Sequence, residues 1–336
     1  MNITENVSLK PFNTFGVDVK AKYLITASTP KDISEAIDFS KGNGLPLLPI
    51  GKGSNILFTK NFEGVVLNLD SAEIKIISEN DSDVLLEVSA GVVWDDAVRF
   101  AVKNNYWGLE NLSLIPGAVG AAPIQNIGAY GAELKDVLES LEAIDRETKE
   151  VVTFSNEKCK FGYRDSIFKN ELKDKFIISG VKLKLSKVSS PNINYRPLKK
   201  KFGSRREIEI EEIRNEVIRI RKEKLPDHRE FGNAGSFFMN PIISEDALDR
   251  LRAMYSSIPF YDLGEQKYKI PAAWLIEKAG MKGYREGNVG VSPEQALVIL
   301  NYGEASGEEV IKFSEKIKNL ILKKFNISLH TEVNIL

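Results

Sequence analysis

An α+β fold is predicted for this 336-residue chain by three observations. Short runs of strand character alternate with amphipathic helical stretches, two long loops are rich in small residues, and no internal repeat of fixed period is present. Residues 17–27 have strand character. Thr29, Pro30 and Asp32 then supply an N-cap, a proline at the first helical position and an acid in the first turn. Ile33, Ala36 and Ile37 give that helix its apolar face, and Gly42 and Gly44 stop it. Residues 45–50 form a buried strand that runs directly into Gly51-Lys52-Gly53-Ser54-Asn55.

This pentapeptide meets neither familiar phosphate-binding signature. A Walker loop needs a hydroxyl directly after its lysine, where Gly53 stands, and a dinucleotide fingerprint needs a third glycine opening a helix, where residues 56–58 continue as a strand. Two readings stay open: a hairpin turn without a ligand, or a nest of N–H groups beside Ser54 and Asn55 that holds a pyrophosphate.

Residues 65–69 and 84–89 read as further strands. A helix over 95–103 turns Trp94, Ala97, Val98, Ala101 and Val102 inward. Residues 115–131 follow, with four glycines, four alanines and two prolines among seventeen positions and almost no charge. Such a run is neither a solvated linker nor a regular helix or strand, so a buried loop is expected. Its backbone needs partners, and the lack of large side chains lets main chain approach a flat polar ligand. Gln125 and Asn126 add amides that donate and accept.

Strands are expected at 141–145, 150–154 and 176–185. Residues 187–204, polar and proline-containing with Tyr195 at their middle, read as an excursion from the core, and 196–207 are very basic. Ile213, Val217, Ile220 and Lys224 recur at helical spacing, and Arg221 lies one turn before Lys224, a pair suited to a phosphate. A second small-residue stretch, 231–241, sets Ser236 between a glycine and two phenylalanines. With Phe238 in place of the last glycine of a Gly-x-Ser-x-Gly elbow, a serine hydrolase is disfavoured. Helices are expected near 245–255 and 271–280. Ser306 and Glu309 form a capping box for a last helix whose stripe is Val310, Phe313, Ile317, Leu320 and Ile321. A strand over 332–336 is expected to pair into an existing sheet.

Lys and Arg number 46 against 47 for Asp and Glu, a net charge of −1, so no global field favours nucleic acid or an anionic membrane. The absence of a membrane-length apolar run and of a signal peptide makes a cytoplasmic protein the expectation. One cysteine, Cys159, and two histidines, His228 and His330, leave no internal disulfide and no metal site to expect.

The loops and motifs together are more specific than any one of them. The 51–55 loop, the 115–131 loop, Gly162-Tyr163-Arg164-Asp165-Ser166, residues 232–241 and Glu332-Val333 fall in the order and spacing of the UDP-N-acetylenolpyruvoylglucosamine reductases, the MurB enzymes of peptidoglycan synthesis. The chain resembles that family over essentially its whole length, and its Tyr195 excursion resembles the type I branch, in which a tyrosine-bearing loop folds over the substrate. The resemblance implies an FAD-binding portion of the PCMH or vanillyl-alcohol-oxidase type in two lobes, 1–71 with the C-terminal strand 327–336 and 72–224, followed by an α+β substrate-binding domain over 225–326.

It also implies that NADPH reduces a non-covalent FAD, which in turn reduces UDP-N-acetylglucosamine enolpyruvate to UDP-N-acetylmuramate. Neither loop holds a histidine or cysteine for covalent attachment. The implied catalytic residues are Arg164, which stabilises the developing enolate, Glu332, which assists it, and Ser236, which supplies the proton. The implied cofactor residues are Gly51, Lys52, Gly53, Ser54 and Asn55, with Pro116, Gly117, Gly120, Ala121, Gln125, Asn126, Gly128, Ala129 and Tyr130. For the substrate they are Tyr195, Arg221, Lys224, Asn240, Tyr261, Lys269 and Gln295. Asn334 departs from the family pattern, standing where some relatives carry an arginine. A monomer is expected. The competing readings are an oxidase of small alcohols or sugars on the same FAD scaffold, and a nucleotide-binding module without catalysis.

Overall fold

The computed structural model describes residues 2–336, which divide into two compact units. The first takes the chain up to Val7, Ala21–Gly53 and Phe62–Arg221; the second takes Ser8–Lys20, Ser54–Asn61 and Lys222–Leu336.

In the first unit, helix α1 (Pro30–Gly42) starts at a complete Thr29/Asp32 capping box and buries Ile33, Ala36 and Ile37. It joins Lys20–Ala27 to Leu47–Ile50, and both pair in parallel with Phe62–Leu69 in a sheet edged by Asn2–Ser8. The second sheet is antiparallel, in the order Val151–Ser155, Leu138–Asp145, Phe176–Ser186, Asp83–Ser89 and Ile74–Glu79. Asn2–Ser8 and Ile74–Glu79 are edge strands with mostly exposed side chains, so neither has the apolar alternation that reveals a strand in sequence.

The two expected FAD lobes form one unit because their sheets share a core. Ala90, Ile144 and Ile177 of the second lobe pack with Ile25, Leu47, Val65 and Leu67 of the first, and Arg146 donates to the Leu47 carbonyl at 3.0 Å. The C-terminal strand differs from expectation too. Asn334–Ile335 pairs in parallel with Ile56–Leu57 within the second unit, in a two-stranded sheet among the described residues.

The expected excursion over 187–204 is likewise only partly outside the core. Its second half is helix α3 (Arg196–Phe202), whose Leu198 and Phe202, one turn apart, are fully buried. Lys201 meets the buried Glu216 of helix α4 (Ile210–Lys224) at 2.5 Å, and Arg219 chelates the same carboxylate. These bonds hold the Glu216 carboxyl down at about 2, so the anchor stays ionised across the physiological range.

The second unit holds helices α5 (Glu245–Met254), α6 (Ala272–Lys278) and α7 (Gly307–Phe325) around small sheets. The Ser306/Glu309 capping box opens α7, which buries Val310, Phe313, Ile317, Ile321 and Phe325. Among the described residues, no helix is long and apolar enough to cross a membrane, and no group of three His, Cys, Asp or Glu is arranged to hold a metal.

One ion pair fixes the entry to the 115–131 loop. Asp95, in the first turn of helix α2 (Trp94–Lys103), receives both terminal nitrogens of Arg214 at 2.8 Å and the Leu114 N–H at 2.6 Å. Burial opposes ionisation of Asp95, but the Arg214 hydrogen bonds and the Leu114 N–H outweigh it and hold the carboxyl below its ordinary value. The stability it contributes is therefore present above the unfolded carboxylate pKa of about 3.9 and is lost as pH falls through the lower folded value. Asp95→Asn is expected to lower stability by about 3 kcal/mol at about pH 7, with the gap to the wild type closing below about pH 4, as read from urea denaturation across pH.

Candidate active site

The first unit gathers the glycine-rich loops. Gly53 takes the left-handed φ of +59°, which the turn at 51–55 requires. A Cβ on Gly51 would stand 2.8 Å from the Ala118 Cβ, so the bare Cα is what lets the two predicted cofactor loops touch. Part of the 115–131 run is more regular than expected, since Val119–Gln125 winds as a 3-10 helix. It is tied to the turn that follows the strand Asp83–Ser89, Val119 N–H donating to Val92 O at 2.9 Å and Gly120 N–H to Ala90 O at 2.8 Å. At Gly120 any Cβ would come within 2.5 Å of the Ala90 Cβ.

Three side chains bracket the rest of the loop. Asn126, fully buried at φ +44°, donates to Glu133 and the Gly162 carbonyl and accepts the Lys135 N–H. Its amide is engaged with protein on both ends, so its part is to set the course of the chain. Ser166 Oγ donates to Ile124 O at 2.7 Å, and Arg164 donates to Gly128 O at 2.8 Å. Arg164 also takes a left-handed φ of +54°, with the Tyr163 ring centred 5.6 Å from its guanidinium. Asp165 accepts from Asn170.

Next to this loop stand the expected substrate residues of the same unit. Tyr130 and Gly131 turn the hairpin Gly128–Ala129/Ala132–Glu133. The Tyr195 ring meets Tyr130 edge to face with centroids 5.1 Å apart, and the Arg221 guanidinium lies 6.0 Å from the Tyr130 ring centre. Burial raises the Tyr130 pKa against the pull of Arg221, so the phenol stays protonated. For Cys159, burial pushes the thiol up to about 12, which removes it as a nucleophile.

In the second unit the backbone brings Ser236 and Glu332 into adjoining rows. Residues 236–239 run between two segments: Ser236 pairs with Val298, Phe238 pairs with Thr331, and the Glu332 N–H donates to Phe237 O at 2.9 Å. The fully buried rings of Phe237 and Phe238 hold this row in place. Asn55 Nδ2 donates to the Glu332 carbonyl at 3.2 Å, and Asn334 closes on the Asn55 carbonyl through its main-chain N–H at 3.1 Å and its Nδ2 at 3.0 Å. Asn334 thus ties the Glu332 segment to the Ser54–Asn55 turn.

A separate group lies on the sheet formed by Ile242–Ser244, Lys267–Lys269 and Tyr261–Asp262. There Tyr261 pairs across strands with Lys269, whose Nζ lies 5.4 Å from the Tyr261 ring centre. Asn240 accepts the Ala272 N–H at 2.9 Å and so starts α6. The Gln295 carbonyl accepts the Val298 N–H at the turn leading to the row beside Ser236, and Lys224 is exposed at the end of α4. Sequence reasoning assigned no role to Asp95 or to Asn111, whose Nδ2 donates at 2.8 Å to the Tyr130 and Asn192 carbonyls. Their partners lie far off in the chain, and only the fold reveals what such residues tie.

The donor set fits a flavin dinucleotide. Two loops in contact at Gly51 and Ala118 offer small residues and main chain to a ligand, and neither holds a histidine or cysteine for covalent attachment.

Comparison with known proteins gives consistent matches. Residues 227–336 match the family described as UDP-N-acetylenolpyruvoylglucosamine reductase, C-terminal domain, and residues 21–155 match the FAD binding domain family. Proteins named UDP-N-acetylenolpyruvoylglucosamine reductase are 43% identical to the chain in Pseudomonas putida, over 98% of each chain, and 43% identical in Flavobacterium johnsoniae, over the whole of both. The crystal structure of the enzyme of that name from Thermus caldophilus superimposes with a TM-score of 0.70 over all of this chain and 99% of its own, at 24% identity. A shared fold extends to 6-hydroxy-D-nicotine oxidase from Arthrobacter nicotinovorans, with a TM-score of 0.51 at 12% identity over 97% of this chain and 86% of the other.

The row that carries Ser236 begins at Gly232, where a Cβ would lie 2.1 Å from the Phe15 carbonyl oxygen, whereas one on Gly303 would meet nothing within 4 Å. Gly232→Ala is expected to cost about 2 kcal/mol by overpacking and Gly303→Ala less than about 0.5 kcal/mol, as compared by urea denaturation.

Proposed function

We infer that this chain, which belongs to the UDP-N-acetylenolpyruvoylglucosamine reductase family, reduces the enolpyruvyl ether of UDP-N-acetylglucosamine to UDP-N-acetylmuramate as a flavin-dependent oxidoreductase. The observation that carries this reading is relatedness from end to end, with FAD-binding and reductase portions both present. The 51–55 and 115–131 loops would hold the FAD, which when bound would supply hydride-transfer chemistry between NADPH and the enolpyruvyl substrate.

The chain's own residues handle charge and the proton. Hydride at C3 leaves negative charge on C2 and the attached carboxylate, and a fixed guanidinium at Arg164 stabilises it. The Arg164 turn is bolted to the cofactor loop through Gly128, which supports a role at the reacting carbons. Ser236 Oγ gives its proton to C2, which completes the saturated ether. A serine suits this step because it is neutral and protonated at about pH 7. The adjoining rows of Ser236 and Glu332 support a joint role for the two, with Glu332 assisting the arginine.

Lys224, Lys269 and Arg221 meet the diphosphate, while Tyr195, Tyr130, Tyr261, Asn240 and Gln295 order the nucleotide, sugar and enolpyruvyl group. The protein acts as a cytoplasmic monomer in peptidoglycan precursor synthesis. Family membership disfavours the oxidase reading, because likeness to the nicotine oxidase extends to the fold alone.

Anaerobic stopped-flow absorbance tests the reading. Flavin reduced with one equivalent of NADPH is expected to regain its oxidised colour when the enolpyruvyl substrate is added, whereas recovery only on admitting oxygen indicates an oxidase. Ser236→Ala is expected to keep FAD and its reduction by NADPH while slowing reoxidation by substrate about 10²- to 10⁴-fold. Loss of the NADPH half-reaction as well would overturn the role given to Ser236.

A further inference from the structure

Gly162 and Asp165 close a tight turn in both directions. The Gly162 N–H donates to Asp165 O at 3.0 Å and the Asp165 N–H to Gly162 O at 3.4 Å, which leaves Tyr163 and Arg164 as the two central residues. Arg164 takes the second central position at a φ of +54°, where a turn with positive φ ordinarily carries glycine or asparagine. A long side chain at a left-handed position is disfavoured locally and persists only where its surroundings over-determine it. One restraint acts on the side chain, since Arg164 Nη2 donates to the Gly128 carbonyl at 2.8 Å. A second acts on the main chain.

Lys169 supplies that second restraint. Its Nζ donates to the Arg164 carbonyl at 3.0 Å from five residues further along, and the chain between them is fixed at each step. Ser166 Oγ donates to the Ile124 carbonyl at 2.7 Å and accepts the Phe168 N–H at 3.2 Å, which starts the short 3-10 turn Ile167–Lys169. The buried Phe168 ring meets Phe154 edge to face with centroids 5.1 Å apart. Asn170 closes the far end by donating to Asp165 Oδ1 at 2.9 Å and to the Ser166 carbonyl at 3.2 Å. A lysine that serves only solubility keeps its head in water. This one is half-buried and spends its ammonium on the peptide that follows the left-handed residue. A charge-assisted bond holds that peptide plane more firmly than a neutral donor does.

We propose that Lys169 is a positioning residue for Arg164: by holding the Arg164 carbonyl, its ammonium keeps the left-handed turn from which the guanidinium is aimed. Its effect on the reaction passes through the arginine, so the proposal rests on the reading of Arg164 as the cation that stabilises the enolate. A donor set in place before charge develops stabilises the transition state without rearrangement, and a displacement of about 1 Å can cost about 10²-fold in rate.

Lys169→Met tests this, because it keeps the stem and removes the ammonium. In the FAD-loaded full chain, NADPH is expected to reduce the flavin at the wild-type rate, while the limiting rate of anaerobic reoxidation by the enolpyruvyl substrate falls about 10- to 100-fold and KM changes less than about threefold. Lys169→Arg, which returns a charged donor, is expected to recover most of the loss. Because Lys169 acts through Arg164, the double variant is expected to be no slower than Arg164→Met alone. Reoxidation at the wild-type rate in Lys169→Met, equal slowing of both half-reactions, or additive losses in the double variant would each overturn the role of Lys169. If Arg164→Met by itself reoxidises at the wild-type rate, the reading of Arg164 fails and the proposal with it; if it is slow while Lys169→Met is not, only the role of Lys169 fails.

Discussion

The carboxylate of Asp95 sits where three elements meet, and much of the first unit depends on it. It joins the first turn of α2 to Arg214 of α4 and to the Leu114 N–H at the entry to the 115–131 loop. Arg221, two turns after Arg214 on α4, is thereby set in register with the loop that carries Tyr130. The pair overcomes its burial because the geometry is bidentate and a third donor satisfies the carboxylate, the condition under which a buried ion pair orders its surroundings and does not merely cost desolvation.

From that point the 115–131 loop is shaped by what it lacks. Glycine at 51 and 120 lets backbone pack on Ala118 and Ala90 at distances no side chain permits. With so few side chains of its own, the loop takes its rigidity from others. Asn126, Ser166 and Arg164 tie it to the turn at 162–166. Arg164 is thus at once a brace for the loop and the cation proposed for the developing enolate, and a cation so held needs little rearrangement when charge appears.

The second unit follows the same logic with strands. Ser236 and Glu332 are nearly a hundred positions apart in the chain, yet one register between 236–239 and 330–332 seats them in neighbouring rows. Asn55 and Asn334 close that arrangement, so a position departing from the family pattern has a definite task here. The basic segment after Tyr195 is likewise tied down, Lys201 and Arg205 being held by Glu216 and Glu212 of α4.

By itself the sequence determined the local structure and the chemistry on offer. Caps at Thr29 and Ser306 mark where helices start, apolar stripes mark what they bury, and the small-residue loops together with Arg164, Ser236 and Glu332 point to the family and its reaction. Only the tertiary structure decided which polar residues are structural ties. Asp95 and Arg214 are 119 positions apart, and Asn111 and Asn192 are 81 apart. It also decided that Leu198 and Phe202 draw half of a polar excursion into the core, and that two expected lobes share one set of packed side chains. The reason is physical. Helical period and capping act over a few residues and are written in the local pattern. The burial of an amide or a carboxylate depends on partners brought from elsewhere in the chain, and no local pattern records them.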